Sequence, residues 1–479
     1  MRCQFKALTI LAIFTLSLLG CRKWEDHTKI DNQDLSQDLW QAVSSNPALS
    51  KFSQYLESTG LDSILKSSKT YTVWAPDDAA LATLDPAIVS DPVRLRSFLL
   101  NHISNQSYFT RDAQDTVRLG MLNGKYNNFL NNNFADATIT TADKFVRNGV
   151  LHVINKGIVV LPSIWDFIKS TTGTYLQNAY INSLDFNAFD PDLAIIDSIS
   201  STTGLPIYRP GTGLVPRNRF NDRVFNLMDE SKEYTYFIIA NAGYTLESDS
   251  LKKYFKAPLT STTDSLAAWN TVKDLVVEGI RQPADFAGLV SKYGVAIPAN
   301  AASVIATHKL SNGVVYVLNL IDIPTANKFG TITVQGEFPS GFLIDRTANT
   351  NYRVRFNPVT NKDYVDIMVT GHGVTTFYSY YRLNEIPTIK YRVYAVAVND
   401  FQTGALSQNV VVKSFVPPAT YTTLATLAHA VPLHTVAGAY DEKLLGEFTP
   451  TNFGTLEIQL TGLTTGPIVL DYLRLVPVP

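Results

Sequence analysis

A few side-chain groups in this 479-residue chain could do chemistry. His102 and His152 could ligate a metal, but a tetrahedral site needs four ligands, and no clear third residue stands at ligand spacing. Each ring is expected to satisfy a buried backbone group instead, and no metal or other cofactor is expected. Asp77 and Asp78 could act as paired carboxylates. Their adjacency after a strand and a proline suits a turn and a helix cap better than a pair spread across a substrate. Phe377-Tyr-Ser-Tyr-Tyr381 supplies rings that could stack on the apolar faces of sugars. Period two puts Tyr378 and Tyr380 on one face and Phe377, Ser379 and Tyr381 on the other, and one face must be core. Tyr378, Tyr380 and Tyr381 are therefore candidate ligand contacts. Tyr208 and Arg209 join them from a stretch rich in Ser, Thr, Gly and Pro, Ser198 to Arg219. No nucleophilic triad, phosphate loop or His-Glu-x-x-His site is visible, so no catalytic residues are assigned and an enzyme is not expected.

Two further elements frame these residues. Met1 to Gly20 reads as a secretory signal, with Arg2 and Lys6 before an apolar stretch too short for a stable span. Leu18-Leu-Gly-Cys21 resembles a bacterial lipobox, which implies that Cys21 is acylated and holds the protein to a membrane. Cys3 leaves with the signal, so the mature chain has no disulfide. Arg22 to Asp26 resembles the export signals of Bacteroidota-type surface lipoproteins, which implies an outer-membrane anchor facing the cell exterior. Residues 21–36 read as a lipidated tether. Lys and Arg total 40 against 42 Asp and Glu, with no basic block, which argues against nucleic acid as a partner.

The other element is a repeat. Asn148-Gly-Val-Leu-His-Val-Ile-Asn155 returns as Asn312-Gly-Val-Val-Tyr-Val-Leu-Asn319. Nearly the same offset relates Tyr71-Thr-Val-Trp-Ala-Pro-Asp-Asp78 to Tyr234-Thr-Tyr-Phe-Ile-Ile-Ala-Asn241, so the chain contains a tandem duplication. Asn-Gly reads as a tight turn with positive φ before a strand. Leu39 to Leu61 carries helical spacing, and Asp91-Pro92 caps a helix running to His102. In the second copy, Tyr175 to Phe189 reads as helical, Ser198 to Arg219 as a long irregular excursion, and Asp264 as a cap.

The stretch at Asn148 resembles a signature of fasciclin-like (FAS1) domains. Tyr71 to Leu81 resembles that family's other signature, and Arg96 to Ser104 the segment between them. The second copy keeps the strand but loses the Ala-Pro-Asp turn, so it resembles a divergent member. The resemblance implies adhesion or binding rather than catalysis. Beyond it, alternating runs such as Asn351 to Phe356 and Val469 to Leu475 indicate an all-β sandwich. Its length and final strand resemble carbohydrate-binding jelly rolls.

The expected fold class is multidomain α+β: two fasciclin-like α/β domains, over 37–161 and 162–327, then a sandwich over 328–479. The expected function is a noncatalytic surface lipoprotein that binds polysaccharide beside an outer-membrane importer complex. The alternative is an adhesion protein that binds a surface protein or matrix.

Overall fold

The computed structural model describes residues 33–416 and 420–478. The signal, Cys21 and most of the tether lie outside the described residues. The chain is mixed α+β and multidomain, and it ends in a β-sandwich. It divides into two compact units. The first takes the described residues up to Phe167 together with Leu227–Tyr234 and Lys309–Val314; the second takes the rest. Among the described residues, no helix is long and apolar enough to cross a membrane.

The first repeat is built on a seven-stranded sheet. Its centre pairs Tyr71–Pro76 in parallel with Gly149–Ile154, in the register Tyr71 to Gly149. Both strands are buried along their whole length, as a strand covered on both faces must be. The expected helix over Leu39 to Leu61 is two helices, Leu39–Ser44 and Ser50–Ser58, parted by a short turn that begins at Pro47. Pro47 has no N–H for a helix interior, and Asn46 caps the turn through Ala48 N. Leu49, Phe52 and Leu56 still reach the core. Asp91 caps Pro92–Leu100, accepting from Val93 N and Arg94 N.

Asn148 corrects the reading of the turn. It is absent from the positive-φ residues, and the hairpin loop is Arg147-Asn148. Its buried side chain accepts from Leu39 N at 2.8 Å and donates to the carbonyls of Leu65 and Ser67 at 2.8 Å. One amide thus ties a helix start, a helix end and the central hairpin together.

The second repeat keeps this plan. Its sheet order is Val276–Glu278, Tyr234–Ile239, Gly313–Leu318, Val304–Leu310. That is the order of Ile103–Asn105, Tyr71–Pro76, Gly149–Ile154 and Ala137–Val146 in the first. Asn312 repeats the role of Asn148, accepting from Ile164 N at 2.8 Å and donating to Leu227 O at 2.9 Å.

Three readings of this repeat change. The helix ends at Asn182, and Asp185–Phe189 is a strand. The excursion is ordered as antiparallel ribbons. Leu214–Asn218 pairs with Asp185–Phe189, and Pro206–Tyr208 pairs with Ile196–Ile199. Asp264 is no cap: the helix spans Thr260–Val272, and the Asp264 carboxylate pairs with Lys252 at 2.8 Å.

The sandwich sets a five-stranded sheet against sheets of four and three strands. The run expected as one strand over Val469 to Leu475 breaks at Asp471. Ile468–Leu470 joins the three-stranded sheet, and Tyr472–Val478 the four-stranded one. The core beneath includes Ile458, Leu460, Leu473 and Leu475, and it extends to Leu251, Phe255 and Ala267 of the second repeat.

Candidate functional site

The alternation in Tyr378–Ile386 decides which tyrosines can meet a ligand. Phe377 and Ser379 are fully buried and Tyr381 is 2% exposed, so they face the core. Tyr381 is therefore removed as a ligand contact: its hydroxyl donates to Gly336 O at 2.8 Å inside the sandwich. Tyr378 and Tyr380 point the other way and are half-buried. Their ring centroids are 6.4 Å apart.

Cross-strand register supplies the polar groups beside them. Tyr380 pairs with Gln459 and Arg382 with Glu457 on Gly454–Gly462. Arg382 Nε donates to Glu457 Oε2 at 3.2 Å, and its guanidinium lies 5.0 Å from the Tyr380 ring centroid. Gln459 Nε2 donates to Glu457 Oε1 at 2.9 Å. Burial, with Glu457 nearby, pushes the Tyr378 phenol up, and the carboxylate of Glu457 raises Arg382 further. Tyr421, on Thr420–Val431, borders the same pair. The result is a row of rings flanked by a guanidinium, a carboxylate and an amide. Rings can stack on the apolar faces of a sugar and the half-exposed Arg382 can bond its hydroxyls, while Glu457 and Gln459, each 5% exposed, back the guanidinium from within. Sequence reasoning missed Arg382, Glu457, Gln459 and Tyr421. Only the alternation of Leu456-Glu-Ile-Gln-Leu460 hinted at a polar pair on the face opposite the core.

Tyr208 and Arg209 lie elsewhere, on the ribbon over Pro206–Tyr208 and just after it. The Tyr208 ring packs edge-on against Phe189 at 5.1 Å, and Arg209 pairs with Asp197 at 2.8 Å. They belong to a separate two-stranded sheet from Tyr378 and Tyr380, so these candidates do not form one strip.

The histidines are occupied by backbone. His102 Nδ1 donates to Phe98 O at 2.8 Å, which leaves Nε2 to accept from Ile158 N at 2.9 Å. His152 accepts from Asp143 N at 3.2 Å and donates to Tyr108 O at 3.0 Å. Tyr316, its counterpart, donates to Arg281 O at 2.9 Å. Among the described residues, no group of three His, Cys, Asp or Glu could hold a metal. Asp77 caps Ala80 N at 2.7 Å, and Asp78 accepts from Lys51 N at 2.8 Å at the start of another helix. Both carboxylates thus serve helix starts.

These bonds carry a pH consequence. Burial lowers the His102 ring to about 4, because a second proton at Nε2 would face the Ile158 N–H. The unfolded ring titrates near 6.5. The folded value is the lower one, so stability is full above the unfolded value and is lost as pH falls toward 4, by roughly 3 kcal/mol. An NMR titration of this ring should give a midpoint near 4 in the folded protein; a midpoint near the unfolded value would sink the account.

Residues 47–160 match the fasciclin domain family model. The chain is similar to a FAS1 domain pair from the insect cell adhesion molecule fasciclin I, at 16% identity over 59% of this chain and 99% of that one, with a TM-score of 0.24. It is also similar to a family 35 carbohydrate-binding module from Clostridium thermocellum, at 12% identity over 31% of this chain and all of that one, with a TM-score of 0.22. A Podospora anserina mannanase with such a module matches at 17% identity over 31% of this chain but 28% of its own, with a TM-score of 0.23. No curated protein matches the chain.

Proposed function

We propose, from the premise that residues 47–160 form a fasciclin domain, that this chain is a noncatalytic surface lipoprotein that binds extracellular polysaccharide. The observation that carries the reading is the outward pair Tyr378 and Tyr380, set beside the Arg382–Glu457 bond and the Gln459 amide. Acylation at Cys21 anchors the protein in the outer membrane, facing the exterior, where it serves an importer complex.

A glycan array with the full mature chain tests this. Wild-type protein should bind a defined set of polysaccharides. Tyr378→Ala with Tyr380→Ala should weaken that binding at least about tenfold, since each ring contributes roughly 1 kcal/mol or more of apolar burial. Silence across neutral and acidic glycans would sink the reading.

A second reading, adhesion to a surface protein, has its own support. The ribbons over Asp185–Asn218 leave Phe189, Ile196, Ile199 and Ile207 half or more exposed. Apolar side chains gathered on free strand edges favour a protein partner.

A further inference from the structure

A cavity of about 340 Å³ lies within the second compact unit, at the lower end of the size range of small-ligand sites. The second repeat lines it with Tyr180, Arg219, Arg223, Trp269 and Lys273, and the sandwich with Glu385, Tyr391 and Phe453. Its charges do not balance. Arg223 pairs with Glu385 at 3.0 Å. Lys328 also lines the cavity, but it is held by Asp274 at 3.5 Å and Glu247 at 3.8 Å. Arg219 and Lys273 have no carboxylate within ion-pair distance among the described residues. The Arg219 guanidinium rests 5.5 Å from the Phe186 ring centroid, and the Lys273 ammonium 5.1 Å from that of Tyr293.

Lys273 is half-buried and Arg219 exposed, so the cost of a cation without a paired counter-charge falls on Lys273. Burial pulls the Lys273 ammonium below its ordinary range, and the more distant Asp274 and Glu385 carboxylates do not fully offset it. Around these cations the wall is aromatic. Trp269 is half-buried, with the Arg223 guanidinium 5.4 Å from its ring centroid. Cations beside ring faces fit a ligand that joins an anionic group to a ring.

We infer that this cavity binds an anionic sugar unit, an acidic group on a hydroxylated ring, with Lys273 and Arg219 holding the anion and Trp269 the ring. The anion half of this assignment stands on the cavity alone. The sugar half rests on the polysaccharide reading. The site is separate from the Tyr378–Tyr380 face.

Calorimetry on the full mature chain tests it with a galacturonate trisaccharide, a sulfated galactose disaccharide, a neutral galactose trisaccharide and benzoate. At least one acidic sugar should bind, and the neutral one should bind at least tenfold more weakly. The acidic probe that binds identifies carboxylate or sulfate as the anion. Lys273→Gln should weaken acidic-sugar binding at least tenfold and Lys273→Arg should retain most of it. Tyr378→Ala should leave cavity binding unchanged, so a failure of the sandwich face and a failure of the cavity are read separately. No binding of either acidic sugar, equal binding of the neutral one, tighter binding of benzoate than of either acidic sugar, or an unchanged Lys273→Gln would each overturn the inference.

Discussion

Gly149→Ala is expected to unfold the first repeat. The residue sits at φ +154° at the start of a central strand, and a Cβ there would lie 1.9 Å from the Tyr71 carbonyl oxygen. That oxygen belongs to the neighbouring strand, and Tyr71 N in turn takes the carbonyl of Asn148 at 3.1 Å. Neither strand can retreat, because both are buried along their length. Leu39 Cδ1 closes the third side at 2.8 Å. Backbone strain and overpacking act together, so the loss should reach about 4 kcal/mol or more. Hydrogen exchange of the Gly149–Ile154 amides reads it directly: protection should collapse in the variant, and wild-type protection would refute the account. Gly313→Ala is the matched case, 2.0 Å from the Tyr234 oxygen.

Lys328→Met should cost roughly 3–5 kcal/mol, for the opposite reason. The Lys328 side chain is 2% exposed and stands between Asp274 and Glu247, with side chains 0% and 8% exposed. It also donates to Asn270 O at 2.8 Å. Burial already raises the Glu247 carboxyl and lowers the Lys328 ammonium, so desolvation outweighs mutual attraction for both. Asp274 Oδ2 and Glu247 Oε1 have no hydrogen bond among the described residues, so the lysine charge is what tolerates them. Without it, two carboxylates stay in a dry site. The denaturant midpoint should fall sharply for the single variant. Adding Glu247→Gln and Asp274→Asn should recover most of the loss. If the triple variant were no more stable than the single one, charge would not be the cause.

Local chemistry made much of this structure legible in the sequence. Asp91-Pro92 announces its helix because a cap and a first-turn proline act within one turn. The two copies of the Asn-Gly strand announce the duplication because the same backbone clash demands glycine in both. The alternation around Tyr378 separates core from surface because strand period is fixed. What stayed hidden depends on partners far along the chain. Asn148 looks like a turn residue until Leu39 and Leu65 arrive at its amide. Arg382 and Glu457 become part of a candidate site only through pairing across 75 residues. Ser198 to Arg219 looks like loop because its composition is turn-rich, yet its strand partners, Asp185–Phe189 and Ile196–Ile199, hold it in ribbons.

The break at Asp471 has a consequence for the order of events at synthesis. Tyr472–Val478 lies between Ile332–Gln335, the first strand of the sandwich, and Lys390–Val396. Ile468–Leu470, just before it, completes the other small sheet. The sandwich therefore has no closed form until its last strand has emerged, and its opening strand waits unpaired for the whole interval. The first repeat has its full central sheet once Ile154 has appeared. Domains fold as units from the N-terminus as the chain emerges. The first repeat can therefore be finished while the part that carries the tyrosines is still an open set of edges, and those edges are what a chaperone would have to guard.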